Sequence, residues 1–175
     1  MRRLLLLRHA KAERAHAGGR DRDRVLDDRG RADARKIGRF LARHGVVPDR
    51  ALVSPAARTR ETWALVAEAL SPKPAATFED KIYESSAHDI VAAIRTDGGS
   101  ARTLLVVGHN PSLQEIAALL IAAGDVEARQ RLKEDFPTAA LAVIGLADGD
   151  WSVLHAHAGR LEHFVTPKSL EAVTD

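Results

Sequence analysis

Two apolar runs in this chain each lead directly into a histidine. The run 4–7 precedes Arg8 and His9, and the run 104–107 precedes His109 after a single glycine. A neutral imidazole can attack phosphorus, and a guanidinium can pair with two phosphoryl oxygens in a fork geometry. Open α/β sheets bind ligands at the carboxyl ends of parallel strands. If the two runs are neighbouring strands, these residues predict a site that handles a phosphoryl group.

A third segment, SPAARTRET at residues 54–62, predicts an anion clamp. Ser54 is expected to cap a helix that opens at Pro55, which places Arg58 in the first turn and Thr62 one turn further along. The free N–H groups of a helix N-terminus attract an anion, and an arginine there would strengthen the binding. Alone, the segment is more typical of a surface arginine on an ordinary helix.

The segment VVGHNPSLQE at residues 106–115 has a similar layout. Gly108 allows a sharp turn after the strand, so that His109 would project from the strand end before Asn110-Pro111 restarts the chain as a helix. As an imidazolium, His109 would stabilise charge on a transferring group. The plain structural alternative is a helix-capping loop in which the histidine is incidental.

Strands that alternate with helices are expected to position these residues. We predict an α/β three-layer sandwich: a mostly parallel central sheet, helices on both faces, and an antiparallel C-terminal edge hairpin that turns at Asp148-Gly149-Asp150. One domain is expected to span residues 1–175. The predicted strands lie at 4–7, 51–53, 77–79, 103–107, 140–146 and 151–157; the predicted helices lie at about 29–44 (capped by Asp28), 55–70, 86–98 and 111–124, with 125–135 a surface helix or loop.

Composition excludes several classes of function. The chain has 175 residues and no cysteine, which removes disulfides, cysteine-ligated metals and phosphatases that use a thiolate. Residues 1–60 carry 17 of the 26 basic side chains, yet these alternate with aspartates, so we expect no nucleic-acid partner. No apolar stretch approaches the ~18 residues of a membrane span, and the N-terminal run is too short for a secretory signal. A cytoplasmic location without membrane association is expected.

Taken together, the segments resemble the histidine phosphatase superfamily, and most closely its small branch typified by the phosphohistidine phosphatase SixA. Arg-His after the first strand, Ser-x-x-x-Arg-x-x-x-Thr, Tyr-Glu and Gly-His-Asn-Pro occur here in the order of that pattern. The likeness runs nearly from end to end, through LRHAKAE (7–13), DRVLDDRGRADA (23–34), SPAARTRET (54–62), IYESS (82–86), LLVVGHNPSLQEIA (104–117) and FPTAALAVI (136–144).

The resemblance implies a role for each matching residue. His9 would be the nucleophile that accepts the phosphoryl group, while Arg8, Arg58 and His109 would bind and neutralise its oxygens. Glu84 lies near the position at which larger members keep an acid that protonates the leaving group, although it is equally explained as a surface residue. The chemistry would be independent of metals and cofactors. Where the superfamily usually has Arg-His-Gly, this chain has alanine at position 10.

The implied function is removal of phosphate from phosphohistidine on a protein, through a phosphohistidine enzyme intermediate. Only the loops 11–28 and 124–136 are long enough to cover a substrate, and an open site suits a phosphate presented on a protein surface. A phosphatase or mutase for small phosphoesters is the first alternative. A catalytically inactive module that binds phosphate is the second. Phosphate or sulfate should bind in the site in every case.

Two further patterns are weaker. Residues 21–25, DRDRV, fit the nucleophile motif of haloacid dehalogenases, but that motif requires a preceding hydrophobic strand, and Gly18-Gly19-Arg20 stands there instead. His155 and His157 alternate along a predicted strand and His163 follows, which would suit zinc. No carboxylate or cysteine at ligand spacing supports a metal, so packing or surface histidines are expected.

Overall fold

The computed structural model describes residues 1–172, and these form one seven-stranded sheet with helices against both faces. The strands are β1 (Arg2–Arg8), β2 (Arg50–Val53), β3 (Ala75–Phe78), β4 (Thr103–Gly108), β5 (Ile121–Gly124), β6 (Leu141–Leu146) and β7 (Gly159–Val165). The helices are α1 (Asp28–Arg43), α2 (Ala57–Ala67), α3 (Ala87–Asp97), α4 (Ser112–Leu120), α5 (Val126–Glu134) and α6 (Pro167–Ala172). Across the sheet the strand order is β3-β2-β4-β1-β6-β7-β5.

The predicted fold class is confirmed, because β1, β2, β3 and β4 pair in parallel and antiparallel strands follow towards the C-terminus. β6 runs antiparallel to both β1 and β7, and β5 then pairs in parallel with β7 at the edge. In the parallel half, Leu7 lies beside Val107 and Arg8 beside Gly108, while Val53 lies on the other side of Val107. The carboxyl ends of β1, β2 and β4 therefore coincide.

Alternation along β1 divides the core into two halves. Leu4 and Leu6 pack with side chains of α3 and α4, whereas Leu5 and Leu7 pack with those of α1 and α2. All four leucines are fully buried. This double burial explains why the strand is a continuous apolar run, as strands covered on both faces usually are. The same packing holds the polar end of the strand in a fixed position.

Three predicted helix boundaries need correction. Asp27, not Asp28, caps α1, since its Oδ1 accepts from the Gly30 amide at 2.7 Å. Ser54 does not cap α2, which begins only at Ala57, because the serine hydroxyl is hydrogen-bonded to a histidine instead. The helix after Asn110-Pro111 ends at Leu120, and the four residues that follow form the edge strand β5 rather than its last turn.

The prediction of a strand at 151–157 was wrong. Trp151–Val153 form a short 3₁₀ helix, and the strand that pairs with β6 is β7, beginning at Gly159. Trp151 is buried and its indole N–H donates to the Ala101 carbonyl at 2.7 Å, so this segment packs beneath α3 instead of extending. The antiparallel pair is also not outermost, because β5 lies beyond β7.

The first turn of α1 packs directly on the backbone that follows the site strand. A Cβ added at Gly30 would lie 2.1 Å from the Lys11 carbonyl oxygen. Replacing glycine by alanine within a helix ordinarily stabilises it by up to ~1 kcal/mol. At position 30 the clash should make the same replacement destabilising. We expect Gly30→Ala to lower the free energy of unfolding in urea by about 2–4 kcal/mol. The exposed exchange Ala32→Gly, costing about 1 kcal/mol, is the control. A Gly30→Ala protein more stable than the wild type would contradict this packing.

Candidate active site

Three strand ends bring the predicted site residues together. The end of β1 carries Arg8 and His9, the end of β4 leads into His109, and the end of β2 leads through Ser54 into α2, where Arg58 lies in the first turns. The two imidazole rings lie 5.4 Å apart between centroids, tilted by 53°. Four of the five predicted residues thus share one edge of the sheet, whereas Glu84 lies apart from their contacts.

His9 is held by its backbone and by one ring nitrogen. Its amide donates to the Gly108 carbonyl at 3.0 Å, and its carbonyl accepts from the Ala139 amide at 3.0 Å. Nδ1 lies 2.7 Å from the Ala10 carbonyl oxygen, which can only accept, so Nδ1 carries the proton. In the neutral ring the lone pair is then on Nε2. Ala10 does not need positive φ here, and its amide donates to Thr62 Oγ1 at 3.0 Å.

His109 is oriented by two side chains from the neighbouring strand and helix. Its Nδ1 lies 3.3 Å from Nη2 of Arg58, which can only donate, so Nδ1 accepts. Nε2 of the neutral ring therefore carries the proton and donates to Ser54 Oγ at 2.7 Å. The ring of Tyr83 packs edge-on at 5.5 Å. These contacts explain why Ser54 is not free to cap α2.

Both arginines retain an unused donor inside the protein. Arg58 is only 6% exposed, and Arg8 is half-buried with its Nη1 donating to the Phe136 carbonyl at 3.0 Å. The Nε atom of each is buried and has no hydrogen-bond partner within residues 1–172. Because a buried N–H of a charged group is costly to leave unpaired, these donors suit the oxygens of a bound oxyanion.

Burial and neighbouring cations keep both histidines neutral. Burial lowers the pKa of His9 to about 4, with Arg58 and Arg8 adding to the effect and the bond to Ala10 opposing it. Burial also lowers the pKa of His109 to about 3, again helped by Arg58. Near pH 7, Nε2 of His9 therefore has a lone pair available. The sequence pattern predicts an imidazolium at position 109, a form that would need the negative charge of a bound phosphoryl group.

These depressed pKa values predict that acid destabilises the fold well before the carboxylates titrate. Unfolded histidine titrates near pH 6.5. In the folded protein the two histidines titrate near pH 4 and pH 3. Between those values and pH 6.5 the unfolded chain therefore binds more protons than the folded one. The free energy of unfolding should be highest above pH 6.5 and should fall as the pH decreases. At pH 5 the two rings together should lower the free energy of unfolding by about 3–4 kcal/mol relative to pH 7.5. Urea unfolding at pH 7.5 and pH 5 measures this loss.

A variant with both His9→Asn and His109→Asn should lose most of that pH dependence. His16→Asn should keep it, because His16 is exposed in the loop before α1. An unchanged pH dependence in the double variant would show that these two rings are not the neutral groups described above.

Asp21 and Tyr83 also belong to the cluster, and the sequence patterns did not identify either as a site residue. Asp21 Oδ2 accepts from Nη2 of Arg58 at 3.0 Å and from the Tyr83 hydroxyl at 2.8 Å. Nη1 of Arg58 donates to the Asp21 carbonyl at 2.9 Å. Burial by itself would raise the pKa of Asp21, but hydrogen bonds from Tyr83, Arg24 and Arg58 lower it to about 2. The signals in the sequence were that Asp21 begins the rejected DRDRV motif in an arginine-rich loop and that Tyr83 belongs to the Tyr-Glu pair of the family pattern.

Glu84 follows Tyr83 with a left-handed backbone, φ 54°. Its side chain is exposed, and no hydrogen bond or ion pair to another described residue fixes it. Its charge contributes to raising the pKa of the neighbouring Tyr83, after burial and Asp21. Glu84 therefore stands beside the cluster without a contact that orients its carboxyl group.

The described residues offer no alternative centre of the kinds considered above. Across 1–172 no group of three or more histidine, aspartate or glutamate side chains is arranged to hold a metal ion. His155 and His157 are exposed in the loop before β7, and His163 packs edge-on against the rings of Phe40 and His44. None of the helices in the described chain has the length and apolar character needed to cross a membrane.

Comparison with known proteins agrees with this geometry. The model of the histidine phosphatase superfamily (branch 1) matches residues 4–89. An uncharacterized protein of Mycobacterium tuberculosis is 32% identical over 93% of this chain and 100% of its own length. A structure from Nakamurella multipartitia, provisionally named phosphohistidine phosphatase SixA, superposes with a TM-score of 0.82 at 29% identity, covering 95% of this chain and 96% of that one.

A third similarity concerns the fold alone. The protein histidine phosphatase SixA complexed with tungstate has a TM-score of 0.76 at 23% identity, with 96% of this chain and 99% of that one covered. The family match begins at the first residue of the buried run in β1 and spans both Arg8-His9 and Arg58. The chain belongs to the histidine phosphatase superfamily and is SixA-like within it.

Proposed function

We propose that the protein is a metal-independent phosphatase that removes the phosphoryl group from phosphohistidine on a protein. The observation that supports this most is the pairing of two neutral imidazoles, one buried and one half-buried, 5.4 Å apart, with two arginines whose buried Nε–H groups have no partner in the described chain. An oxyanion in this position would satisfy both donors. Phosphoryl transfer needs mainly positioning and charge neutralisation, which these groups provide.

The mechanism follows from the hydrogen bonds of each ring. Nδ1–H of His9 is held by the Ala10 carbonyl, so Nε2 attacks the phosphorus in line. The bond from phosphorus to the substrate nitrogen breaks, and its electron pair stays with the leaving imidazole. Arg8 and Arg58 would share the charge on the equatorial oxygens, and His109, whose Nδ1 accepts from Arg58 and whose Nε2–H donates to Ser54, would hold the Arg58 guanidinium beside them. Water then attacks the phosphohistidine of the enzyme and releases phosphate, which regenerates His9.

The choice of phosphohistidine rests on the chemistry of the leaving group. A leaving imidazole can already carry a proton, whereas an alkoxide leaving from a phosphoester needs an acid. Glu84 is the candidate for that acid, yet nothing in the described chain orients it. The provisional name of the Nakamurella protein supports the same substrate class.

A substrate panel tests the proposal. We expect a phosphohistidine protein to be hydrolysed with a kcat/KM at least about 100-fold above that for sugar phosphates, because each phosphoester lacks a leaving group that carries its own proton. Glu84→Gln should leave phosphohistidine hydrolysis within about twofold of the wild type. If Glu84 instead acts as a general acid on phosphoesters, its loss will reduce their turnover selectively.

The panel also separates the alternatives. Faster turnover of a small phosphoester than of phosphohistidine would favour the phosphoester phosphatase or mutase. Binding of tungstate or phosphate with no hydrolysis of any substrate would favour a phosphate-binding module that has no catalytic activity.

A further inference from the structure

The loop between β1 and α1 places one carboxylate in contact with the site. This loop carries a single 3₁₀ turn, Asp21–Asp23, and the first residue of that turn reaches α2, 37 residues away, and Tyr83, 62 residues away. Asp21 Oδ1 accepts from Arg24 at 3.0 Å. Three side-chain donors therefore meet on one carboxylate that is 48% exposed.

We propose that Asp21 is a positioning residue that sets the orientation of the Arg58 guanidinium for oxyanion binding. The inference rests on the proposed function only in assigning Arg58 to the phosphoryl group. It adds a residue to the site that neither the family pattern nor the strand ends identified. It also gives the loop a defined role, which is to carry the carboxylate to Arg58.

The way in which Asp21 binds Arg58 indicates that it positions the guanidinium and does not compete with the substrate for it. Asp21 engages Nη1 through its main-chain carbonyl at 2.9 Å and Nη2 through its carboxylate at 3.0 Å. The main-chain contact cannot be released without moving the whole turn. Nε–H stays buried and unpaired within the described residues, so an incoming oxyanion has a donor that Asp21 does not occupy.

Tyr83 and His109 also contact the pair formed by Asp21 and Arg58. The Tyr83 hydroxyl donates to Asp21, and its ring packs edge-on against His109, whose Nδ1 accepts from Nη2 of Arg58. A displacement of Asp21 would therefore disturb both the guanidinium and the neighbouring imidazole. Removal of the carboxylate also removes a repulsive charge, but that charge is half-exposed and already paired with three donors, so its repulsion is well screened. The loss of orientation should dominate.

Tungstate titration by calorimetry tests the proposal, and it does not require turnover. We expect Asp21→Ala to weaken tungstate binding about tenfold, because small misplacements of a charged donor are costly. Asp21→Asn keeps an acceptor of the same shape, so it should lose less tungstate affinity than Asp21→Ala. Asp23→Ala is the matched control, since Asp23 lies on the same turn and, among residues 1–172, its side chain pairs only with Arg20, at 3.0 Å. Tungstate binding by this control should be unchanged.

A double-mutant cycle shows whether Asp21 acts through Arg58. In an Arg58→Ala background, Asp21→Ala should cause no further loss of tungstate affinity. Unchanged or tighter binding in the single Asp21→Ala variant, or an equal additional loss in the Arg58→Ala background, would overturn the proposal. If wild-type protein binds tungstate but hydrolyses no phosphohistidine, the proposed function fails while this test still stands. If Asp21→Ala does not fold, Asp21→Asn and Tyr83→Phe decide, each being expected to weaken tungstate binding measurably.

Discussion

His9→Ala should reduce phosphohistidine hydrolysis by at least about 1,000-fold, to the limit of detection. The reason is chemical, because no other described side chain places a neutral nitrogen lone pair in the same position between Arg8 and Arg58. His109 cannot replace it, since its Nδ1 accepts from Arg58 and its Nε2–H is bound to Ser54. Steady-state release of inorganic phosphate measures the effect.

The control for this variant is His16→Ala. His16 is an exposed histidine of the loop before α1, so its removal should leave turnover unchanged. Thermal unfolding must show that His9→Ala remains folded. Turnover within tenfold of the wild type in a folded His9→Ala protein would exclude this histidine as the nucleophile.

Arg58→Ala is expected to have the second-largest effect, a loss of about 100- to 1,000-fold in kcat/KM. The variant removes the buried Nε–H donor and the contact with His109, and it leaves Asp21 with only one of its two cationic partners, Arg24, among the described residues. The carboxylate would then face the incoming phosphate with less of its charge neutralised. Arg58→Lys should recover only part of the loss, because an ammonium cannot reproduce the fork of donors.

Arg60→Ala is a matched control on the same helix. Arg60 is exposed, its Nε donates to the Pro55 carbonyl at 2.8 Å, and its guanidinium lies over the ring of Phe78. Its removal should change kcat/KM by less than about twofold. Equal losses in Arg58→Ala and Arg60→Ala would show that helix packing, rather than the donor at position 58, controls activity.

The strand ends could be predicted from the sequence because burial on both faces leaves a clear signal. Leu4 to Leu7 and Leu104 to Val107 have no polar interruption, so the first polar residue after each run marks the edge of the sheet. The parallel register that places Arg8 beside Gly108 follows from ordinary α/β topology. This was sufficient to bring His9 and His109 together.

The positions that could not be predicted depend on contacts between distant parts of the chain. Ser54 has the residue type and position of a helix cap, but a histidine 55 residues away takes its hydroxyl. Trp151 lies in a segment whose sequence predicts a strand. Its buried indole N–H requires an acceptor, and it donates to the Ala101 carbonyl, a contact that holds the segment out of the sheet. Asp21 belongs to a loop with no periodicity, so nothing local indicates that it reaches Arg58.

The most direct test is to locate the phosphoryl group on the enzyme during turnover. Wild-type protein should be mixed with a phosphohistidine substrate, stopped in alkaline denaturant that preserves the bond between phosphorus and nitrogen, digested, and mapped by mass spectrometry. One phosphoryl group is expected, on the peptide that holds His9, and none on the peptide that holds His109. Turnover with the phosphoryl group on His109, or with no phosphorylated peptide at any time point, would contradict nucleophilic attack by His9.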